Sequence, residues 1–387
     1  MAQITVVGGG IAGLVAATEC AEAGASVRLL EARGHLGGRG GTSPGPFSTN
    51  HGPHAFYTGP LWDWLAEREL HKPYKVPMDL SLRVRWEGVV RRLPPKQLVT
   101  AARMRRLAAP VDRSLRDWLL EVADEPTMRA VNGAAGVLTF DHDPGRLSAA
   151  FVWDKVHRIL LGSFPPAARY VRHGWQSVIE RTAERARGLG VEVETGARVD
   201  SLADLAVAGP VILALSPRAA RSLTGDDALR VESTRTVLLD LGLRSRRRDP
   251  YVVLDLDEGA FVNTFTAILP EMAPAGHDLV QVSVGQRPGE ALEDGVGRIE
   301  AILDASHVGW REREVWRQRS SVHEASGALD LPGATWRDRP AVSWADGVHL
   351  CGDWLAAPGH LSEVSFHSAV EAAAAAVADA HRAAAVR

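Results

Sequence analysis

A glycine run, Gly8-Gly9-Gly10-Ile11-Ala12-Gly13, constrains this chain more than any other feature. It follows the β-branched apolar run Ile4-Thr5-Val6-Val7, the pattern of a strand buried on both faces. In this G-x-G-x-x-G, Gly8 permits a tight turn, Gly10 lets backbone approach a pyrophosphate, and Gly13 lets helix pack on strand. Leu14 to Ala23 is rich in helix formers, so its N-terminus offers unpaired N–H groups and partial positive charge to phosphates. Gly24 ends the helix and Val27-Arg28-Leu29-Leu30 returns as a second strand. Glu31 closes that strand where an acid accepts the ribose hydroxyls of an adenosine. Strand, helix, strand and acid in this order read as a dinucleotide-binding βαβ unit.

Directly after Glu31 come Ala32-Arg33-Gly34-His35-Leu36-Gly37-Gly38-Arg39 and then Gly40-Gly41-Thr42. A nicotinamide dehydrogenase has no need of this second glycine pair. The stretch resembles the N-terminus of the flavin-containing amine oxidase, protoporphyrinogen oxidase and phytoene desaturase superfamily. There an acid followed by Gly-Gly-Arg brings further backbone N–H groups and an arginine onto the FAD pyrophosphate. The resemblance implies that Gly8, Gly10, Ile11, Ala12 and Gly13 meet FAD. It implies the same for Glu31, Ala32, Arg33, Gly37, Gly38 and Arg39.

The far end of the chain carries a matching signal. Gly347-Val348-His349-Leu350-Cys351-Gly352-Asp353-Trp354 is an apolar strand ending in Gly-Asp, and Leu361 to Ala378 follows as a helix. This is similar to the superfamily's C-terminal FAD motif. The match implies that the Gly352 backbone meets a phosphate and that Asp353 holds the ribityl chain. The helix start at Leu361, Ser362, Glu363 and Val364 is then expected at the flavin C2 carbonyl. A helix N-terminus suits that edge, because reduction places negative charge around N1 and C2.

Between these ends the pattern is looser. Ser48 to Tyr57 contains Asn50-His51-Gly52-Pro53-His54, similar to a crossing that passes beside the flavin in phytoene-dehydrogenase-like members. Gly52, Pro53 and His54 are therefore expected at the cofactor. His54 and His51 are active-site candidates, with structural, backbone-bonded histidines as the alternative. Leu61 to Glu69 is helix-like, and Val84 to Arg92 reads as a hairpin about Glu87-Gly88. Gln97 to Leu107, Leu115 to Ala123 and Thr127 to Val137 have helical spacing. Basic residues dominate between Arg83 and Arg116. A solvated face, an anionic partner surface and a peripheral membrane patch all fit that excess.

Gln176 to Gly188 reads as a helix, with Val191 to Glu194, Ala197 to Val199 and Pro210 to Leu215 as strands. The resemblance places the backbone of Val199 at the adenine. Thr236 to Leu243, Tyr251 to Leu256, Phe261 to Leu269 and Leu279 to Val284 suggest an antiparallel sheet, and Gly297 to Gly309 a helix.

The expected architecture is α/β. A Rossmann-type FAD-binding domain (1–58, 168–232 and 335–387), with a parallel sheet and helices, is interleaved with an α+β substrate domain (59–167 and 233–334) containing the antiparallel sheet. At 387 residues the chain exceeds one typical core. The net charge of −3 says little about partners, and no periodic base-reading motif or aromatic interleaving supports nucleic acid. Cys20 and Cys351 form neither a disulfide framework nor a metal cluster, and Met1 leads straight into the first strand, so a reducing cytoplasm is expected. No metal site is expected.

Superfamily amine oxidases commonly place a late lysine near flavin N5, yet no lysine follows Lys155. They often attach FAD through a cysteine beyond Gly-Asp, whereas Cys351 precedes it, so non-covalent FAD is expected. These departures point to the phytoene-dehydrogenase-like branch. The expected activity is hydride transfer from a carbon of a small, largely apolar organic substrate to flavin N5, with dioxygen or a quinone or carrier as acceptor. Amine C–N oxidation, flavin-dependent isomerisation and non-catalytic flavin binding are the alternatives.

Overall fold

The computed structural model describes residues 3–43, 45–52, 55–74, 81–161, 168–206 and 209–385. Its centre is a six-stranded sheet in the order Glu192–Thr195, Val27–Glu31, Ile4–Val7, Val211–Leu213, Val348–Leu350, Ser343–Ala345. The first five strands run parallel and the last pairs antiparallel at the edge. Ile4, Val6, Leu29 and Ile212 are fully buried, as the continuous apolar runs require of a sheet covered on both faces. The helix Ile11–Glu22 packs on the sheet and against two other helices, Gly174–Gly188 and the C-terminal helix Ser362–Ala385, the latter also lying on the sheet. Strand order reverses beside Ile4–Val7, where the chain leaves for Val27–Glu31 on one side and Val211–Leu213 on the other. Ligands of open α/β sheets bind at such switch points, beyond the carboxyl ends of the strands. Gly8, Glu31 and the Gly352-Asp353 pair all lie just there.

A second sheet of seven strands has the order Glu314–His323, Arg235–Arg244, His277–Gly285, Ala260–Thr264, Val252–Asp255, Leu82–Trp86, Val89–Arg91. It is antiparallel except where Leu82–Trp86 runs parallel to Val252–Asp255. Glu87 and Gly88, both at positive φ, turn the hairpin that joins its last two strands. Alternation sets its two faces. Val237, Leu239, Leu241 and Leu243 pack with Val280, Val282 and Val284 on Ile299, Ile302 and Leu303 of the helix Leu292–Ser306. A helical cluster (Leu115–Val122, Glu125–Thr139, Ala149–Val156) packs around Leu119, Val131, Leu147 and Val152. The fold is thus a Rossmann-type parallel α/β unit with a separate antiparallel sheet.

Some local expectations are corrected. Ala197 to Val199 is not a strand: Gly196 turns at φ +73°, and the N–H groups of Gly196 and Ala197 are clipped to Arg33 O and Glu31 O. Phe261 to Leu269 is a strand only to Thr264, after which Phe265–Ala267 closes as a 3₁₀ turn. The edge strand Glu314–His323 was not signalled by the sequence.

Candidate functional site

The first strand delivers Gly8 at φ +110°, a backbone conformation suited to glycine, and a Cβ there would sit 2.3 Å from Ala214 O. Gly13 is needed for packing, since its Cβ would lie 1.9 Å from Gly8 O. Gly10 differs. It caps the helix Ile11–Glu22 in an extended conformation (φ −78°), and the nearest atoms to a Cβ would be Gly37 O and Gly38 Cα, each at 4.0 Å. Two glycine backbones therefore face one another across a narrow gap, with Gly37 N–H donating to Gly9 O at 2.9 Å.

Glu31, only 9 % exposed, ends the second strand and ties this loop. Its carboxylate accepts the N–H of Gly9 at 2.7 Å and of Arg33 at 2.8 Å. Those two bonds leave lone pairs for further donors. Arg39 spans the length of the chain: its guanidinium donates to Asp353 Oδ1 at 2.5 Å and to Glu324 O at 2.9 Å. The Gly-Gly-Arg and Gly-Asp segments, 314 residues apart at that contact, are thereby joined. Asp353 is 8 % exposed, and Gly352 is held by Ser368 Oγ, which accepts its N–H and donates to its carbonyl.

Leu361 precedes the C-terminal helix at φ +50°. The N–H groups of Glu363, Val364 and Ser365 already turn to His360 O and Leu361 O, whereas those of Leu361 and Ser362 meet no acceptor among the described residues. The Glu363 side chain folds back to cap the loop, accepting His360 N–H at 3.0 Å.

His51 is partly buried, and burial together with the charges of Arg33 and His35 holds its pKa below the ordinary histidine value. Pro53 and His54 lie outside the described residues. Gly52, at φ +106°, turns the chain just before them. Val199 is partly buried just beyond the Gly196 turn that touches Arg33 and Glu31.

The sequence reading missed a second cluster. Asp353, Gly359, Leu361 and Val364 line a small pocket together with Lys155, Arg339, Ser326 and Thr139. Lys155, 6 % exposed, bonds His360 Nδ1 at 3.1 Å, and His360 Nε2 bonds Asp154 Oδ2 at 2.8 Å. Arg339 is neutralised by Asp330. The signal was a charged Asp154-Lys155 pair inside an otherwise apolar helix of a lysine-poor chain. On the antiparallel sheet Asp240, buried beneath Gln281 Nε2 at 2.8 Å, is pushed by burial up to about 7. Among the described residues no cluster of metal-ligating side chains occurs.

Residues 6–68 match the family of NAD(P)-binding Rossmann-like domains. No curated protein matches the chain. Among solved structures, an oxidoreductase from Methanosarcina mazei superposes with a TM-score of 0.73 at 19% identity, over 96% of this chain and 100% of that one. Cyclohexylamine oxidase from Brevibacterium oxydans IH-35A gives 0.71 at 17%, over 98% and 99%. Reduced UDP-galactopyranose mutase gives 0.72 at 13%, over 96% and 95%. These likenesses fix the fold over nearly the whole chain.

Proposed function

We propose that this protein is an FAD-dependent oxidoreductase that takes a hydride from a carbon of a small, largely apolar organic molecule. The observation that carries the reading is the convergence of both chain ends on one slot. The Gly10 gap, the buried Glu31 and the Arg39–Asp353 contact at 2.5 Å lie along the carboxyl ends of the parallel strands. The residues present fit FAD. A cradle closed by any side chain at Gly10 suits a pyrophosphate, and an acid at a strand end suits a ribose. The second glycine pair and Arg39 favour FAD over a nicotinamide cofactor.

When bound, the flavin supplies the two-electron redox chemistry, and the protein supplies binding, orientation and electrostatics. Gly10 and Gly38 backbone would hold the pyrophosphate, with Arg39 as its counter-charge. Glu31 would take the ribose hydroxyls and Asp353 the ribityl chain. The N–H groups of Leu361 and Ser362, reinforced by the helix dipole, would favour negative charge at the C2 edge. His54 remains a candidate at the ring. With the phytoene-dehydrogenase-like branch, C–C desaturation is the favoured reaction.

Amine C–N oxidation is the second reading, supported by the structural likeness to cyclohexylamine oxidase. Mixing the FAD-loaded protein anaerobically with a panel of polyenes and of amines tests both. Bleaching of the flavin by a polyene supports desaturation, and bleaching by an amine supports the second reading. Bleaching by neither, in protein that dithionite reduces normally, contradicts both.

A further inference from the structure

The hydrogen-bonded chain Asp154, His360, Lys155 runs from the surface inward. The Asp154 side chain is 58% exposed and that of His360 12%, whereas Lys155 is 6% exposed. Helix Ala149–Val156 supplies both ends, and the loop before the C-terminal helix supplies the middle. Asp154 Oδ2 meets His360 Nε2 at 2.8 Å, and His360 Nδ1 meets Lys155 Nζ at 3.1 Å. With Nε2 donating to Asp154, Nδ1 is free to accept from the ammonium. When Lys155 is instead a neutral amine, the ring holds its proton on Nδ1, so a proton arriving at Nε2 releases the Nδ1 proton to the amine without either side chain moving.

The inner end opens on the pocket shared with Asp353, Leu361 and Val364, the residues assigned above to the ribityl chain and the C2 edge. Among the described residues the carboxylates around it are engaged elsewhere: Asp330 with Arg339, Asp353 with Arg39, Asp154 with His360, and Glu363 with the His360 N–H and Arg158. The buried amine also stacks over Phe151 at 4.7 Å. No described carboxylate forms an ion pair with Lys155, so its charge is compensated only at a distance.

We propose that Asp154, His360 and Lys155 form a proton relay that charges Lys155 from solvent when the flavin beside it is reduced. The inference rests on the FAD reading above. Two electrons and one hydrogen arrive from the organic substrate and leave negative charge at the flavin's C2 edge. The substrate's second hydrogen leaves to solvent as a proton, while a proton from water enters through Asp154 to His360 Nε2 and the Nδ1 proton of the same ring moves to the neutral Lys155 amine. One charge is thereby matched by one proton. Burial and the neighbouring Arg339 pull the Lys155 pKa down to about 8, against Asp330, Asp154 and Glu363, so the amine is available for protonation in mildly alkaline solution. Burial likewise lowers the His360 pKa below the ordinary histidine value, although its bond to Asp154 opposes the shift.

The test is the midpoint potential of the FAD-loaded protein between pH 6 and 10, measured by dithionite titration against redox dyes. Wild type should show an extra dependence of about 30 mV per pH unit starting near pH 8, the signature of one additional proton per electron pair. Lys155→Met should lose that segment. At pH 7 it should also prefer reduced flavin at least tenfold less than wild type does, a drop of about 30 mV. An FAD-loaded Lys155→Met protein that traces the wild-type curve overturns the proposal. His360→Gln should keep the equilibrium curve but take up its proton at least tenfold more slowly after rapid reduction at pH 9, read with an indicator dye. Added imidazole should restore the rate, and an unslowed His360→Gln overturns the relay. If Lys155→Met does not fold, the His360→Gln rate alone decides. Wild-type protein that binds no FAD refutes the cofactor reading itself, an outcome distinct from all of these.

Discussion

Substituting Gly10 by alanine separates a glycine kept for a ligand from one kept for the fold. Gly10 has φ −78° and ψ −179°, open to any residue, and the atoms nearest an added Cβ are 4.0 Å away. The folded apoprotein should therefore accept Gly10→Ala, with a gain of about 0.4–1 kcal/mol from the stiffer unfolded chain. The methyl group would project into the gap facing Gly37 and Gly38, where a pyrophosphate must touch backbone. Losing one charge-assisted N–H bond costs about 1.5–3 kcal/mol, and each 1.4 kcal/mol is about tenfold in affinity. FAD affinity should fall by ten- to a hundredfold or more. Gly13→Ala should do the reverse, because its Cβ would lie 1.9 Å from Gly8 O. Overpacking of that kind costs about 1–3 kcal/mol of stability or more. Urea denaturation of the apoproteins and FAD titration by flavin fluorescence measure the two quantities independently. A Gly10→Ala protein that binds FAD as tightly as wild type, or that loses stability without FAD, refutes the assignment of the gap.

Glu31→Ala should weaken FAD and also destabilise the apoprotein by about 1.5–3 kcal/mol, since the buried Gly9 N–H loses its acceptor; unchanged FAD affinity in the folded variant contradicts the ribose role. Glu363→Gln should raise the reduction potential of bound FAD, because it removes a negative charge beside the C2 edge while still accepting the His360 N–H; an unchanged or lower potential places this helix away from the flavin. Burial, with Arg313 acting in the same direction, lowers the pKa of the fully buried His307 to about 3. Its stabilising contribution is therefore complete above the unfolded value of about 6.5 and is lost as pH falls towards 3. Between pH 7 and 5 wild type should lose about 2 kcal/mol more than His307→Asn in urea unfolding, and equal losses would show His307 to be charged or hydrated.

The chain ends were legible because phosphate binding constrains backbone locally. Gly8, Gly10 and Gly13 declare their roles within six residues, and Gly352-Asp353 sits at the end of its own strand. The Arg39–Asp353 contact was not legible, since nothing local encodes it and the resemblance assigns the two residues to different parts of FAD. Lys155 and His360 are 205 residues apart, and their pairing is a product of tertiary packing alone. The edge strand Glu314–His323 escaped notice because its outward side chains are charged, with Arg317 and Arg319 paired to Glu300, Glu314 and Glu293. Charged edge strands resist pairing with other chains, and they lack the apolar alternation by which strands are read. Phe261 to Leu269 misled in the opposite way, its apolar run continuing through a buried 3₁₀ turn at Phe265.

Among the described residues no helix is long and apolar enough to cross a membrane. Purification of the protein followed by identification of its bound cofactor is the most direct test of the central claim. The account predicts a yellow protein that releases FAD, intact and non-covalently held, when it is denatured. A colourless protein that takes up a nicotinamide dinucleotide and refuses added FAD would contradict it.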